Sequence, residues 1–279
     1  MNCSTELVRS IDSQKNQERA LVELRSALFQ NPVMHLELLE AGAITAQFDS
    51  VNVLSTILDA VYNPTLNGRL LSEQLGFKEV GVVSVLTCQH CERSRYAEND
   101  DGSKKMLYSP IHIVPLPEMI DNEATMSFSE ALTKSLNGTQ FECECPSPRC
   151  SGKKEHTSKT HFFDLGKKVV FHVGRGICSP TDDGDGVILS KNLRHVSLTE
   201  TLLLDVEESD NPGIILEKQY VLRQVILHIG ATLKRGHYMC VKFENGRWFL
   251  FDDNKKRQCL GSTVEQLNAH LASLMLSIC

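Results

Sequence analysis

The spacing of apolar residues in the first part of the chain predicts two helices. Leucines recur at helical intervals in RALVELRSALF, residues 19–29. A second apolar stripe runs through residues 49–64, which begin at the capping residue Asp49 and end at Pro64. We therefore expect a helix over each of these two segments.

Beyond Glu79 the pattern changes to short β-branched runs, which predict strands. Residues 80–88 form the first run and LYSPIHIVPLP, residues 107–117, forms the second, so the two together predict a hairpin. HFFDLGKKVVFHVGRG, residues 161–176, reads as extended, and residues 220–253 contain three more apolar runs. Helices followed by a set of strands are typical of an α+β fold with a central antiparallel sheet.

Two capping boxes predict short helices among the strands. Ser127 with Glu130, and Ser262 with Glu265, have the S-x-x-E spacing in which side chains and backbone N–H groups satisfy each other. We expect a short helix to begin at each box.

An Asn-Gly pair at residues 245–246 lies between two alternating apolar runs and predicts a two-residue hairpin loop, since both positions must accept positive φ. With these residues as the loop, Asp252 faces Met239 across the ribbon. Asp252 is then diagonal to His237 on one face, and Asp253 points to the opposite face. Diagonal residues stand about 7–8 Å apart at Cα, which a hydrogen bond between side chains can span.

This register leads to a hypothesis about chemistry. A carboxylate or amide beside His237 would fix its tautomer and stabilise its imidazolium, as the third member of a Cys-His-Asp/Asn set does. Asp252 is one candidate for that group, and Asn254, which faces His237 directly, is the other. From the residues alone, a strand histidine beside a hairpin-end carboxylate with no catalytic role stays an open alternative.

Charge and hydropathy exclude several classes of function. The 279 residues include 29 Lys and Arg against 35 Asp and Glu, a net charge of −6, so the chain lacks the positive field that nucleic-acid binding usually needs. No run approaches the roughly 20 apolar residues of a membrane span, and the N-terminus has no secretory signal pattern. We expect a cytoplasmic or nuclear protein with a protein partner and no nucleic-acid or membrane partner.

The 10 cysteines favour metal or catalytic roles over disulfides, because this chain is expected in a reducing compartment. Cys88 and Cys91 form a C-x-x-C loop that offers two thiolates to tetrahedral Zn²⁺. Cys145 and Cys150 are the expected second pair, with Cys143 as the substitute, and the sheet must bring the pairs together from the ends of separate strands. A finger that has kept its thiols but lost its metal is the alternative.

Several segments resemble the ubiquitin-specific proteases. YVLRQVILHIG at residues 220–230, followed by Gly-His-Tyr at 236–238 and by WFLFDD at 248–253, is similar to the histidine box of that family. The resemblance extends to a degraded helix start at 47–54, the strands that enter and leave the fingers at 77–91 and 161–174, and the closing strand at 271–279. It therefore covers most of the chain.

The resemblance implies a papain-like α+β fold with a helical thumb, a central antiparallel β palm and zinc-binding β fingers. It implies one catalytic domain over residues 1–279, with the fingers embedded at about 77–175. The activity would be thiol-dependent hydrolysis of ubiquitin from protein conjugates, with ubiquitin as the partner. The acidic pairs at 207–208 and 252–253 are expected to face the basic tail segment of ubiquitin.

The same resemblance implies roles for individual residues. His237 would be the general base for a cysteine, and Asp252 the residue that orients it. Gly236 would let the backbone approach the C-terminal tail of ubiquitin, and Tyr238 would help to line that channel. The four paired cysteines would hold structural zinc.

The cysteine box of the family, Gly-x-x-Asn-x-Gly-Asn-Thr-Cys-Tyr-x-Asn, is not found in this sequence. Cys3 is the only cysteine before Asp49, and Met1-Asn2 leaves no room for the upstream Asn and glycines. Two interpretations stay open: an N-terminally truncated form of a working enzyme, and a catalytically inactive relative that keeps the ubiquitin-binding shell. A zinc-bearing scaffold with no ubiquitin contact is a third.

Overall fold

The computed structural model describes residues 53–55, 57–59, 76–117, 125–148, 150, 152–181, 186–209, 213–233, 236–253, 255–259 and 263–266. The chain divides into two compact units, Met1–Lys78 and Glu79–Cys279. In the first unit, residues 53–55 and 57–59 are helical and Leu58 is buried, in agreement with the helix predicted there. The predictions for Cys3, 19–29, 47–52 and 271–279 lie outside the described residues.

The second unit is built mainly from strands, with a nine-residue helix α1 at Phe128–Leu136. The strands in chain order are β1 (Val80–Cys88), β2 (Ser94–Tyr96), β3 (Met106–Ser109), β4 (His112–Pro115), β5 (Thr125–Ser127), β6 (Asn137–Glu144), β7 (Lys153–Phe163), β8 (Phe171–Gly174), β9 (Gly176–Pro180), β10 (Val187–Lys191), β11 (His195–Ser197), β12 (Thr201–Glu207), β13 (Ile215–Val221), β14 (Gln224–Ile229), β15 (His237–Glu244), β16 (Arg247–Asp252) and β17 (Lys255–Gln258). Among the described residues, no helix is long and apolar enough to cross a membrane.

Two long antiparallel strands form the spine of the largest sheet. β1 and β7 pair from Gly81 opposite Phe163 to Cys88 opposite His156. β3 and β2 pair with successive halves of β1, while β6 and β12 pair with β7 on its other side, and β13 follows β12. The spine therefore begins in apolar sequence near Gly81 and ends at the C-x-x-C loop.

The main core lies against the first end of this spine. Val80, Phe162 and Val206 are at most 2% exposed and form one apolar cluster with Val114 of β4 and Leu132 of α1. Phe162 and Val206 are register partners on neighbouring strands. Removal of such apolar surface from water, at about 25 cal/mol per Å², is the main source of stability for this part of the fold.

One predicted capping box is observed, and a helix start lies beside the other, whose Ser262 is outside the described residues. The Ser127 hydroxyl accepts a hydrogen bond from the backbone N–H of Glu130 at 3.1 Å, as predicted. Near the C-terminus the reciprocal bonds join Thr263 and Gln266, at 3.2 and 3.3 Å, one residue later than the predicted Ser262–Glu265 box. The T-x-x-Q spacing offers the same hydroxyl and the same returning acceptor, so it caps equally well.

The prediction of a single strand over residues 107–117 is wrong. The run is split into β3, which pairs antiparallel with β1, and β4, which pairs parallel with β8 in a different sheet. Pro110 between them has no N–H to continue a ladder, and the Ser109 hydroxyl donates to the carbonyl of Ile111 at 2.7 Å. The run at 161–176 is also divided, because Asp164 has left-handed backbone (φ 49°) where β7 ends.

A second sheet, β14-β15-β16-β17, is an antiparallel meander. Its central turn lies at residues 245–246, whose φ angles of 51° and 77° confirm the predicted Asn-Gly loop. Phe243 pairs with Trp248 in the predicted register, and Trp248 and Val241 are 2% and 0% exposed in a second apolar core. This buried face fixes the register that positions the polar residues at the ends of β15 and β16.

Candidate active site and metal centre

The register of the meander brings His237 and Asp252 together. His237 is the first residue of β15 and Asp252 is the last residue of β16. Nε2 of His237 lies 2.6 Å from Oδ1 of Asp252, a short distance for a charge-assisted hydrogen bond. An ionised carboxylate only accepts, so Nε2 donates and Nδ1 is left as the basic nitrogen. The His237 side chain is 45% exposed, which leaves the ring open to a reacting group.

The second oxygen of Asp252 is also held. Nη2 of Arg257, on β17, donates to Oδ2 of Asp252 at 2.9 Å. The hydrogen bond from His237, followed by the charges of His237 and Arg257, lowers the pKa of the Asp252 carboxyl, so the carboxylate stays ionised. Arg257 was not among the predicted site residues, although the pairing of Asp252 with Lys255 puts Arg257 diagonal to Asp252 on the same face.

The prediction that Asp253 points away from His237 is wrong. Oxygen atoms of Asp252 and Asp253 and a ring nitrogen of His237 all lie within 4.8 Å of one another. β16 ends at Asp252, and Asp253 has left-handed backbone with φ 50°, so the strict alternation of a strand does not apply to it. The other candidate for the orienting group, Asn254, lies outside the described residues.

The expectation of a surface acidic pair at 207–208 is wrong for Glu207. Its side chain is 0% exposed and accepts hydrogen bonds from Tyr96, Lys104, His161 and the backbone N–H of Gly213. Burial opposes ionisation, but the bonds from His161 and Lys104 outweigh it and lower the pKa of Glu207 to about 2. This carboxylate is therefore an internal counter-charge rather than a contact for a partner.

Gly236 and Tyr238 flank His237 and both lie against His228 of β14. A Cβ placed at Gly236 would come within 2.5 Å of the carbonyl oxygen of Ile229 and closer still to Nε2 of His228. The rings of Tyr238 and His228 stack with centroids 4.6 Å apart. Packing inside the chain thus requires glycine at 236, and the predicted roles of Gly236 and Tyr238 in a channel for ubiquitin stay predictions.

The sheet brings the two cysteine pairs together as predicted. Cys88 ends β1, Cys91 lies in the loop that follows, Cys145 comes directly after β6, and Cys150 precedes β7. Their four sulfur atoms all lie within 4.8 Å of one another. Because β6 and β1 both pair with β7, strands that are distant in sequence converge at this point.

The spacing of the four sulfurs fits a tetrahedral metal and not a disulfide. Cys88 Sγ lies 3.7 Å from Cys150 Sγ, and Cys91 Sγ lies 3.7 Å from Cys145 Sγ. Four thiolates about 2.3 Å from a Zn²⁺ ion stand roughly 3.8 Å apart, whereas bonded sulfurs are about 2.05 Å apart. The cluster can therefore hold a metal ion, and a set of four cysteine thiolates is one that zinc accepts.

Hydrogen bonds from the backbone of the C-x-x-C loop stabilise the thiolate of Cys88. Burial opposes ionisation of Cys88, but hydrogen bonds from the backbone of Cys91 and His90, together with neighbouring thiols, lower its pKa to about 6. Burial, with the thiols beside it, raises the pKa of Cys150 to about 12. One thiolate next to protonated thiols is the expected state of such a cluster before a metal replaces the protons.

Cys143, the predicted substitute, lies outside the four-sulfur cluster. Its Sγ is 3.3 Å from Nδ1 of His156, which also lies 2.8 Å from the carbonyl oxygen of Lys154. Cys143 is still within β6, where it pairs with Lys154 of β7, whereas Cys145 lies beyond the end of that strand, in the segment that carries the cluster. The choice of Cys145 over Cys143 agrees with this placement.

Comparison with known proteins connects these features to a family. The family model described as ubiquitin carboxyl-terminal hydrolase matches residues 39–275. The chain is similar to ubiquitin carboxyl-terminal hydrolase 17-like protein B of Mus musculus, 28% identical over 191 residues that cover 67% of this chain and 36% of the relative. It is also similar to ubiquitin carboxyl-terminal hydrolase 9 of Saccharomyces cerevisiae, 34% identical over 137 residues that cover 48% of this chain and 17% of the relative.

A solved structure has a fold similar to that of this chain. A chain in the structure of the SAGA Ubp8/Sgf11/Sus1/Sgf73 DUB module bound to ubiquitin aldehyde matches with a TM-score of 0.61 and 15% identity, over 88% of this chain and 51% of that chain. This likeness supports the predicted α+β fold of the ubiquitin-specific proteases. The chain spans only about a third of the length of the first mouse relatives, 36% and 31%. Because the family model matches most of the sequence, including the His237–Asp252 hairpin, the chain belongs to the ubiquitin carboxyl-terminal hydrolase family.

Proposed function

We propose that this chain is a deubiquitinase-type domain that binds the C-terminal tail of ubiquitin beside His237 and Asp252. The observation that carries the proposal is the 2.6 Å contact between Nε2 of His237 and Oδ1 of Asp252. It gives the ring a fixed orientation and a basic Nδ1, the two properties that a general base for a thiol requires. Family membership supplies the substrate class, and the Ubp8 module that the fold resembles is bound to ubiquitin aldehyde.

In the proposed reaction, Nδ1 of His237 takes the proton of a cysteine thiol, and the thiolate attacks the carbonyl carbon of the terminal glycine of ubiquitin. The imidazolium, stabilised by Asp252, then gives that proton to the departing amine, and a thioester remains. Water activated by the same nitrogen hydrolyses the thioester and regenerates the thiol. Asp252 stays ionised throughout, since the guanidinium of Arg257 donates a hydrogen bond to its Oδ2.

The cysteine that supplies the thiol is not assigned. Within the described residues, His237 makes no hydrogen bond to a cysteine, and Cys3 lies outside them. Besides a working enzyme whose nucleophile lies elsewhere in the protein, the second candidate function is a catalytically inactive ubiquitin-binding protein. Both candidates share the tail-binding site and differ only in turnover.

We further infer that Cys88, Cys91, Cys145 and Cys150 hold one structural Zn²⁺. The sulfur spacing of 3.7 Å supports this inference. Bound zinc would contribute folding free energy directly and would join the ends of β1, β6 and β7. It would have no part in the hydrolysis.

A ubiquitin–fluorophore substrate tests the proposed activity of residues 1–279. We expect very slow turnover or none, because base and orienter are present without an identified nucleophile, and any turnover should fall further in His237→Ala and Asp252→Asn. Asp205→Asn, on the exposed face of β12, is the matched control and should change nothing. Fast turnover that survives His237→Ala would overturn the proposed mechanism. Complete absence of turnover fits both a truncated enzyme and an inactive relative, and ubiquitin binding then tests the tail site that the two share.

A further inference from the structure

The face of β15 opposite His237 is occupied by a second histidine. His228 is the register partner of Tyr238, and the two rings stack at an interplanar angle of 23°. Nε2 of His228 is the atom that a Cβ at Gly236 would strike first. The imidazole of His228 therefore lies against both sequence neighbours of His237 and supports the backbone from which His237 projects.

A lysine from another sheet holds His228 in turn. Lys191 is the last residue of β10, and its Nζ lies 3.3 Å from Nδ1 of His228, 3.1 Å from the carbonyl oxygen of His228 and 2.6 Å from that of Gly230. An ammonium group donates three hydrogen bonds and accepts none, so three acceptors match its three donors. Nδ1 of His228 must accept in this arrangement, which puts the ring proton of His228 on Nε2.

Hydrogen bonds to Arg175 fix the backbone that follows Lys191. The backbone N–H of Asn192 donates to the carbonyl of Arg175 at 2.7 Å, and Nη1 of Arg175 donates to the carbonyls of Asn192 and Arg194 at 3.0 and 2.7 Å. Burial, and to a lesser degree the charge of Arg175, lowers the pKa of Lys191. Partial burial of an ammonium is unfavourable unless hydrogen bonds compensate, and here the compensating acceptors all belong to the end of β14.

We propose that Lys191 is a positioning residue for His237: it clamps the end of β14 and the ring of His228, and so fixes the backbone of residues 236–238. Its acceptors at 228 and 230 stand immediately before the loop that leads into Gly236 and His237. The inference relies on the proposed function only in naming His237 as the base.

Two-bond ¹H–¹⁵N spectra of the ¹⁵N-histidine-labelled chain test this coupling, because they report the tautomer of each ring. In the wild type we expect His228 and His237 each in a single form with the proton on Nε2. In Lys191→Met, which keeps the aliphatic stem but not the donors, His228 should lose its single tautomer, and the His237 signals should shift and broaden. Lys191→Arg, which keeps donors for the carbonyls, should restore much of the His237 pattern.

The matched control is Lys159→Met, because Lys159 is an exposed strand lysine on β7. It should leave both histidines unchanged. If His228 responds to Lys191→Met while His237 keeps its wild-type signals in a folded protein, Lys191 only holds His228 and does not position His237. The proposal is then wrong. Should Lys191→Met unfold, Lys191→Gln supports the proposal if the His237 signals change and overturns it if they do not. These spectra need no ubiquitin, so failure of the proposed function would show separately, in the hydrolysis and binding measurements.

Discussion

At the scale of single residues, Gly236 is constrained by the chain itself. A Cβ at this position would strike Nε2 of His228 and the carbonyl oxygen of Ile229. The sequence resemblance assigned Gly236 to the approach of a ubiquitin tail, and no sequence pattern could reveal this internal contact, since Gly236 and His228 meet only in the folded register. Tyr238 likewise has an internal partner in the ring of His228.

Gly236→Ala should therefore destabilise the protein without any ligand present. Overpacking against a fixed ring and a backbone carbonyl typically costs about 1–3 kcal/mol in the free energy of unfolding. Gly176→Ala is the matched control, because a Cβ there would meet Leu189 and Leu233 at 3.6 and 3.7 Å, ordinary van der Waals distances. Urea unfolding of both variants decides the question, and equal midpoints for the two would contradict the account.

Glu207 makes stability depend on acid pH. Its pKa of about 2 in the folded chain is below the ordinary value of 4.5, so the folded state favours the carboxylate. The stabilisation is fully present above pH 4.5 and is lost as pH falls toward 2, with a size of about 3 kcal/mol from the shift. Glu207→Gln should reduce the loss of unfolding free energy between about pH 5 and pH 3.

The neighbouring Glu208 provides the control for this pH dependence. Glu208 forms a partly exposed ion pair with Lys218 at 2.7 Å, which contributes little to stability. Chemical unfolding at a series of pH values should show that Glu208→Gln keeps the wild-type slope. A Glu207→Gln protein with the same acid sensitivity as wild type would show that the buried carboxylate is not its source.

At the scale of elements, the sequence predicted best where a local rule fixes geometry. The Asn-Gly turn set the register of β15 and β16, and that register alone brought Asp252 to His237. The alternation of side chains along a strand failed as a guide where strands end. Asp253 and Asp164 have left-handed backbone there, which no alternation pattern encodes. The partner of Cys143 and the clamp by Lys191 depend on contacts between distant strands, which residue spacing does not contain.

Zinc content tests the convergence of β1, β6 and β7. The purified chain should contain about one zinc, and Cys88→Ser or Cys150→Ser should remove it and lower the thermal stability, since a structural metal contributes folding free energy. Cys145→Ser should remove it too. Cys143→Ser is the control, because Cys143 contacts His156 instead of the cluster, and elemental analysis should find its zinc unchanged. Loss of zinc in Cys143→Ser but not in Cys145→Ser would show that the ligand set is wrong.

At the scale of the whole molecule, the two best-defined chemical features lie in different sheets. The four sulfurs are at the far end of the β1–β7 spine, and the His237–Asp252 pair is in the β14–β17 meander. Apolar patterning predicted β1, β14, β15 and β16, but not the more polar β2, β6 and β17. Which strands pair in parallel, as β4 with β8, could not be read from short runs. The family model spans both features, which supports their common origin in one type of fold.

Ubiquitin binding, observed at the ring of His237, tests the central claim most directly because it needs no nucleophile. On titration of ubiquitin into the ¹⁵N-histidine-labelled chain, we expect micromolar affinity, on the order of −7 to −8 kcal/mol, and a clear shift of the His237 signals. Ubiquitin without its two terminal glycines should bind more weakly and leave His237 unchanged. No binding at millimolar ubiquitin, or identical His237 shifts with intact and shortened ubiquitin, would contradict a tail site beside His237 and Asp252.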